Sequence, residues 1–555
     1  MKACCSSQPR DRSFFFVCLL CVTVLAMMIQ TAKCQNYAPS MDDGSVWPPA
    51  FNPSLFKLNG CSTTPLVGRR KTFNVGPGQT YTELNTVPWL SLQAGDVVNI
   101  FYRSTPYKTY VGLRSVGNST HPITINGVTD SSCRRPVISG DGALPADDAK
   151  AALWGTWSGG GLPGSGIFIF WKSSSDPAEH TPQYFAFRNL ELRDCRKGKS
   201  YIGYDGASHP YDYFTGAIYA VRIKHLLIDN CFITQNGNGL FTNTRGQSEN
   251  DYSSYLYVRG SKLDMNGYPD DDHEHNLYTQ AKRVLVEGCY IGQAQGGSSL
   301  KDRSSGSVIR YNFIKASARA LDLVETEEEY YKNLQQDPLY NYAWVYGNVI
   351  LNDENSPTGY SGRAIHWGFD NTLERSRAGT LFFYGNTYMF RAKNGYSTDI
   401  FQLGNEASPS SPEFTIACWD NVFANQPSHQ GSVELRVLTS HGKVTMKGNN
   451  YIDSRFQHKR RELGVAVTET SSEHGGNLWT GPSTVLDPMT FKPNAGSVLI
   501  GAGNSFKPDY SQIEQANPDF KKENLERVAE YYTVSGGIAG ARLRPNSLAL
   551  NVGAM

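Results

Sequence analysis

Tyr278, Lys301, Arg303 and His366 bring a phenol, an amine, a guanidinium and an imidazole into one stretch of sequence. Together they hold the parts of a β-elimination. Removing a proton from a carbon beside a carboxylate requires that carboxylate to be neutralised, a base to take the proton and an acid for the departing oxygen. Arg303 suits the first task because its planar fork matches a carboxylate. Lys301 or His366 supplies the base and Tyr278 the acid, while Asp322 orients Lys301 or holds a calcium ion. Asn276, His275, Gln280, Phe241 and Phe401 surround them with hydrogen-bonding groups and ring faces suited to a sugar chain. The bland alternative is a solvated strand edge, with Lys301 and Arg303 paired to Asp302 and Asp322 and His366 packed beside Trp367.

Two neighbouring features offer other chemistry. Asp302, Asp322 and Glu325 could serve as the paired carboxylates of a glycoside hydrolase. Strand alternation weakens that reading, because Asp302 points inward if Lys301 and Arg303 point outward. The run from Tyr268 to His275 contains Asp270, Asp271, Asp272, His273 and Glu274. Its oxygen and imidazole donors suggest a divalent ion, with Asp272 and Glu325 as ligands of a possible Ca²⁺; a plain acidic turn is the alternative.

The elements that position these residues are repeats. Phrases such as Asp229-Asn230-Cys231-Phe232, Glu287-Gly288-Cys289-Tyr290, Gly347-Asn348-Val349-Ile350 and Gly385-Asn386-Thr387-Tyr388 share a small polar residue followed by a large apolar one. Their centres at 289, 312, 348, 386, 421 and 449 lie 23, 36, 38, 35 and 28 residues apart. A coil of a parallel β-helix takes about 20 to 25 residues, and the excess belongs to inserted loops. Asparagine tolerates a left-handed backbone and bonds nearby main chain, so stacked copies imply a ladder at one bend. The pattern therefore predicts an all-β, right-handed parallel β-helix rather than a β-sandwich. A further strand per coil places Leu240, Leu277, Leu300, Leu321, Ile365 and Ile400 inward and Phe241, Tyr278, Lys301, Asp322, His366 and Phe401 outward. The same stacking brings Cys195 and Cys231 into phase, so a disulfide is expected between them.

The sequence resembles the pectin-lyase-like right-handed β-helix proteins, among them secreted polysaccharide-degrading enzymes. The resemblance lies in Val75-Gly76-Pro77-Gly78-Gln79-Thr80-Tyr81, Gly95-Asp96-Val97-Val98, His275-Asn276-Leu277-Tyr278, Ser299-Leu300-Lys301-Asp302-Arg303, Leu321-Asp322-Leu323-Val324 and Pro493-Asn494-Ala495-Gly496. It covers residues 70 to 505 and implies lyase, hydrolase or uronate epimerase activity on a glycan. The acidic loop is also loosely similar to the Asp-x-His arrangement of alginate epimerases. The expectation is a polysaccharide lyase acting on a uronate-containing glycan; the other class is a non-catalytic wall or matrix protein that binds glycans.

The chain ends and composition set the compartment. Lys2, Arg10 and Arg12 precede an apolar run from Phe14 to Ile29, the pattern of a signal peptide over 1–34. An N-terminal extension (35–65), the β-helix (66–505) and a C-terminal tail packing on the helix end (506–555) complete the expected layout. Five of the 11 cysteines lie in or beside the leader, and the even remainder suits an oxidising compartment. Asn118-Ser119-Thr120 is a glycosylation sequon. A formal charge of +1 argues against nucleic acid as a partner. The expected product is secreted and monomeric, free of the membrane once the leader is removed, with an extracellular polysaccharide as its partner.

Overall fold

The computed structural model describes residues 61–148, 163–170, 181–244, 251–269, 271–327, 334–353, 363–391, 398–404, 414–425, 435–440, 443–446, 450–459, 466–469 and 478–480. The expected leader, most of the N-terminal extension, the C-terminal tail and the Pro493–Gly496 phrase lie outside them. Among the described residues the chain forms three long sheets of 13, 12 and 11 strands, and each coil gives one strand to each sheet through most of their length. Neighbouring strands in these sheets pair in parallel, as between Leu300–Asp302 and Leu321–Leu323. The fold is the right-handed parallel β-helix that the repeat spacing predicts.

Alternation fills the interior. In the second sheet Val111, Phe168, Ile218, Leu240, Leu277, Leu300, Leu321, Ile365 and Phe401 stack in one register column and all belong to the core. Ile138, Leu192, Ile233, Leu263, Ile291, Ile314 and Ile350 form the corresponding column of the third sheet. Burying each such side chain stabilises the coil by about 1.5–3 kcal/mol, largely offset by chain entropy.

The predicted asparagine ladder exists, with a division of labour at the bend. Asn312, Asn348, Asn386 and Asn421 each donate Nδ2 to Oδ1 of the next rung, at 3.0, 3.0, 3.2 and 2.9 Å. The last rung is Asn450 rather than the aligned Asn449. The left-handed residue is the one before the rung: Tyr311 (φ 57°), Gly347 (65°), Gly385 (59°) and Asp420 (54°). The preceding residue makes the turn, and the asparagine satisfies the buried amides that the turn exposes.

The same column corrects the expected disulfide. Cys231 sits at the bend, with its N–H donating to Ser261 Oγ at 3.0 Å, whereas Cys195 follows a strand whose Arg193 pairs with Thr234. The two cysteines are several residues out of phase, and both are buried free thiols, as are Cys289 and Cys418. Cys61 and Cys133 form the disulfide, closing a separation of 72 residues.

The outer face of the first sheet is less polar than alternation suggests. Leu227, Tyr257, Leu285, Val308, Trp344 and Phe382 form a second buried cluster there. Beside it runs a charge ladder in which Arg188 and Arg259 pair with Asp229 at 2.8 and 3.5 Å, and Arg310 pairs with Glu287 at 2.7 Å.

Candidate functional site

The outward column of the second sheet reads Tyr219, Phe241, Tyr278, Lys301, Asp322, His366 and Gln402 in register. Tyr219, Phe241 and Tyr278 stack as one aromatic wall, with ring centroids 4.9 and 5.0 Å apart. The column then changes from rings to charges at Lys301. A cleft of about 740 Å³ opens at that change, lined by the wall, by Lys301, Arg303 and Asp322, and by Phe214 and His273 at its rim.

Lys301 occupies the centre. Its Nζ lies 2.9 Å from Asp322 Oδ2 and 3.0 Å from Asp370 Oδ2. Asp322 also binds His366 Nδ1 at 2.8 Å and Arg319 Nη1 at 3.3 Å through Oδ1. Burial would raise the Asp322 carboxyl, but Lys301, Arg319 and the His366 bond hold it well below the usual carboxylate range. Asp370 is likewise lowered: burial and Asp322 oppose its charge, and Lys301 and His366 together outweigh them.

Arg303 and Tyr278 share the next part of the wall. Arg303 Nη1 donates to the Glu325 carbonyl at 2.5 Å, and Nη2 lies 3.3 Å from Glu327 Oε1. Its Nε is buried with no hydrogen-bond partner. Burial pushes the Tyr278 phenol well above its ordinary range against the pull of Arg303, and Glu327 adds to the rise. Tyr278 therefore keeps its proton at neutral pH.

His275 has a fixed tautomer. The Ser298 N–H donates to Nδ1 at 2.8 Å, so the ring proton must sit on Nε2. Burial and then Lys301 hold the imidazole well below its ordinary range, so it is neutral and offers an N–H donor to the cleft. A Cβ at Gly297 would meet the His275 ring within bonding-clash distance, which explains a glycine at that approach.

The structure thus brings together Phe241, His275, Tyr278, Lys301, Arg303 and Asp322 as the sequence predicts. Asp302 is inward, accepting from Thr279 Oγ1, Ser307 Oγ and Arg377 Nη1 at 2.8, 2.6 and 3.1 Å.

Five expected roles are corrected. His366 points outward but is fully buried, because Arg319 spans from Asp322 to Gln402 Oε1 (3.3 Å) across the coil between them. Its ring nitrogens face Asp322 and the Gly404 carbonyl, which makes it a support for Asp322 and not a base open to the cleft. Asn276 is an interior rung, accepting from Asn266 Nδ2 at 2.9 Å and donating to the Gly292 carbonyl at 2.8 Å. Gln280 ties coils together through Asn243 Oδ1 and the Glu327 N–H, at 2.7 and 2.8 Å. Phe401 is in the core, since the register pairs it with Ile365 and turns Gln402 outward. Glu325 is no open metal ligand: its two oxygens accept the N–H groups of Asp370, Asn371 and Thr372 at 2.7, 2.8 and 2.9 Å.

Three protein-family and structure comparisons bear on this chain. No protein-family model matches it. No curated protein matches it either. Similar solved structures include the pectate lyase Pel9A, with 13% identity and a TM-score of 0.37 over 88% of this chain and 98% of that one. A second is a mannuronic acid specific family 6 polysaccharide lyase from human gut microbiota, at 13% identity and 0.39, covering 83% and 99%. A third is a pectin methylesterase from Aspergillus niger, at 8% identity and 0.26, covering 84% and 100%.

Sequence reasoning missed Asp370, Arg319 and Glu327, which complete the ion network, and Tyr219, which extends the wall. Tyr219 was within reach of the alternation rule one coil earlier. Asp370 was not, because it comes from a loop between strands.

The acidic loop forms one rim. Asp271, Asp272 and His273 offer ligand atoms within 4.8 Å of one another. His273 Nδ1 lies 3.0 Å from both Asp271 and Asp272. Glu274, next in the loop, is buried, and its Oε1 accepts the Phe214 N–H at 2.9 Å. Burial, reinforced by Asp271, pushes its carboxyl up to about 7. Asn118 is exposed at a turn of the first coils. Among the described residues no helix is long and apolar enough to cross a membrane.

Proposed function

We propose that this chain cleaves a uronate-containing extracellular polysaccharide by β-elimination in the cleft around Lys301. The observation that carries the reading is the convergence of Lys301, Arg303, Tyr278 and the Nε2–H of His275 on one cavity walled by stacked rings.

Each group has a task set by its surroundings. Arg303 and the His275 N–H face the substrate carboxylate and stabilise the charge that develops on it as the neighbouring carbon loses its proton. Tyr278 retains its proton and delivers it to the departing glycosidic oxygen. Lys301 takes the proton from the carbon. In the free protein its Nζ lies against Asp322 and Asp370, and only the neutral amine can accept that proton.

Hydrolysis is disfavoured because Asp322 and Asp370 are both held ionised, leaving neither as the protonated acid that paired-carboxylate cleavage requires. The deciding experiment incubates the purified protein with a panel of uronic-acid polymers. Elimination produces an absorbing unsaturated uronate at each new chain end, and Lys301→Ala abolishes it. New reducing ends without that chromophore would mean hydrolysis. A changed sugar configuration without cleavage would mean epimerisation. Glycan binding that survives Lys301→Ala and Arg303→Ala, with no product from any polymer, would mean a binding protein.

A further inference from the structure

Asp370 reaches Lys301 from a loop, and a loop residue holds a 3.0 Å ion pair only if something fixes its backbone. Three consecutive N–H groups, those of Asp370, Asn371 and Thr372, converge on the Glu325 carboxylate at 2.7, 2.8 and 2.9 Å. Glu325 is 1% exposed, and Arg303 Nη1 lies 3.6 Å from its Oε2. Successive amides around an anion form a concave nest, and charge-assisted bonds of this kind are about twice as strong as neutral ones.

We propose that Glu325 is a positioning residue: by gripping the 370–372 turn it sets the Asp370 carboxylate on Lys301. The inference rests on the reading of Lys301 as the proton-transferring group, but the contact it asserts has a readout that needs no substrate. The backbone carbonyl of Glu325 accepts from Arg303 at 2.5 Å, so one residue joins the turn to two cations of the cleft. Removing its negative charge releases the turn, and Asp370 leaves with it.

The test compares Glu325→Gln, Asp370→Asn and the double variant by acetic anhydride labelling of Lys301, quantified by mass spectrometry on the intact folded protein. Glutamine keeps the size of Glu325 but replaces one acceptor oxygen with a donor, so at least one of the three amides, that of Asp370 if the remaining oxygen keeps the other two, loses its acceptor. Labelling is expected to rise about tenfold in each single variant, because Lys301 loses the ion pair that covers its Nζ, with no further rise in the double variant. On a polymer that the wild type cleaves, kcat falls about a hundredfold with KM within about twofold in both singles, and again no further in the double. Wild-type labelling of Lys301 in Glu325→Gln alongside faster labelling in Asp370→Asn overturns the proposal, as do multiplicative effects in the double variant. If Glu325→Gln does not fold, amide hydrogen exchange on the wild type decides: slow exchange at residues 370–372 supports the grip, and exchange as fast as an exposed turn overturns it. Coupled labelling without elimination on any polymer would sink the proposed activity and leave the contact standing.

Discussion

Asp322→Asn removes the carboxylate on which the whole ion network turns. In the wild type that carboxylate faces Lys301 at 2.9 Å, Arg319 at 3.3 Å and His366 at 2.8 Å. At an effective dielectric of about 20, attraction across the shortest cationic contact is about 6 kcal/mol before desolvation is subtracted. Breaking a buried pair on one side costs about 3–5 kcal/mol net. Lys301 keeps Asp370 and Arg319 keeps Gln402, so the lower end applies and the expected loss is about 3 kcal/mol. The pH dependence gives the prediction its edge. Asp322 is held below its unfolded value, so its contribution is present above the unfolded pKa of about 4 and is lost as pH falls through the folded one. Urea unfolding of wild type and variant should therefore differ by about 3 kcal/mol at pH 7, and the gap should narrow progressively below about pH 4. Elimination should slow about a hundredfold, because Lys301 loses one of the two groups that aim it. Equal stability at pH 7, or a gap that does not close in acid, would refute the reasoning.

Three further outcomes follow from individual contacts. Glu274 has its folded value raised to about 7, so the folded state binds the extra proton between about pH 4.3 and 7. Its stabilisation is full below that window and lost as pH rises through it, by about 4 kcal/mol at most, and Glu274→Gln should flatten the dependence of the urea midpoint on pH. His275→Ala removes the donor that faces the cleft and should cost about a hundredfold in kcat, whereas His275→Gln, which keeps an N–H, should recover part of that loss; equal activity of the two would deny the donor role. Alkylation of the denatured, unreduced protein should modify Cys195, Cys231, Cys289 and Cys418 and spare Cys61 and Cys133, as read by peptide mapping.

The balance between what the sequence shows and what it hides follows from which contacts repeat. Leu277, Leu300, Leu321 and Ile365 are spaced by the coil, so one rule finds the inward column and turns Tyr278, Lys301 and Asp322 outward. The same rule fails one coil later, where choosing Ile400 instead of Phe401 inverts the face; both are buried, and composition alone cannot choose between them. It fails for Cys195 because a bend and a strand end look alike in short phrases. Burial is lost for a different reason. Alternation tells outward from inward but not outward from exposed, and His366 is outward yet sealed by Arg319, just as Trp344 and Phe382 are outward on the first sheet and buried. Loops escape altogether, since no periodicity carries Asp370 back to Lys301. The repeats build a scaffold that sequence can count, and the chemistry is completed by contacts such as Glu325 with the 370–372 turn, which occur once. The chemistry of the cleft face on such a helix is therefore set by the loops laid against it, and exchanging the turn that carries Asp370 should change the proposed activity more than any substitution in the core column beneath.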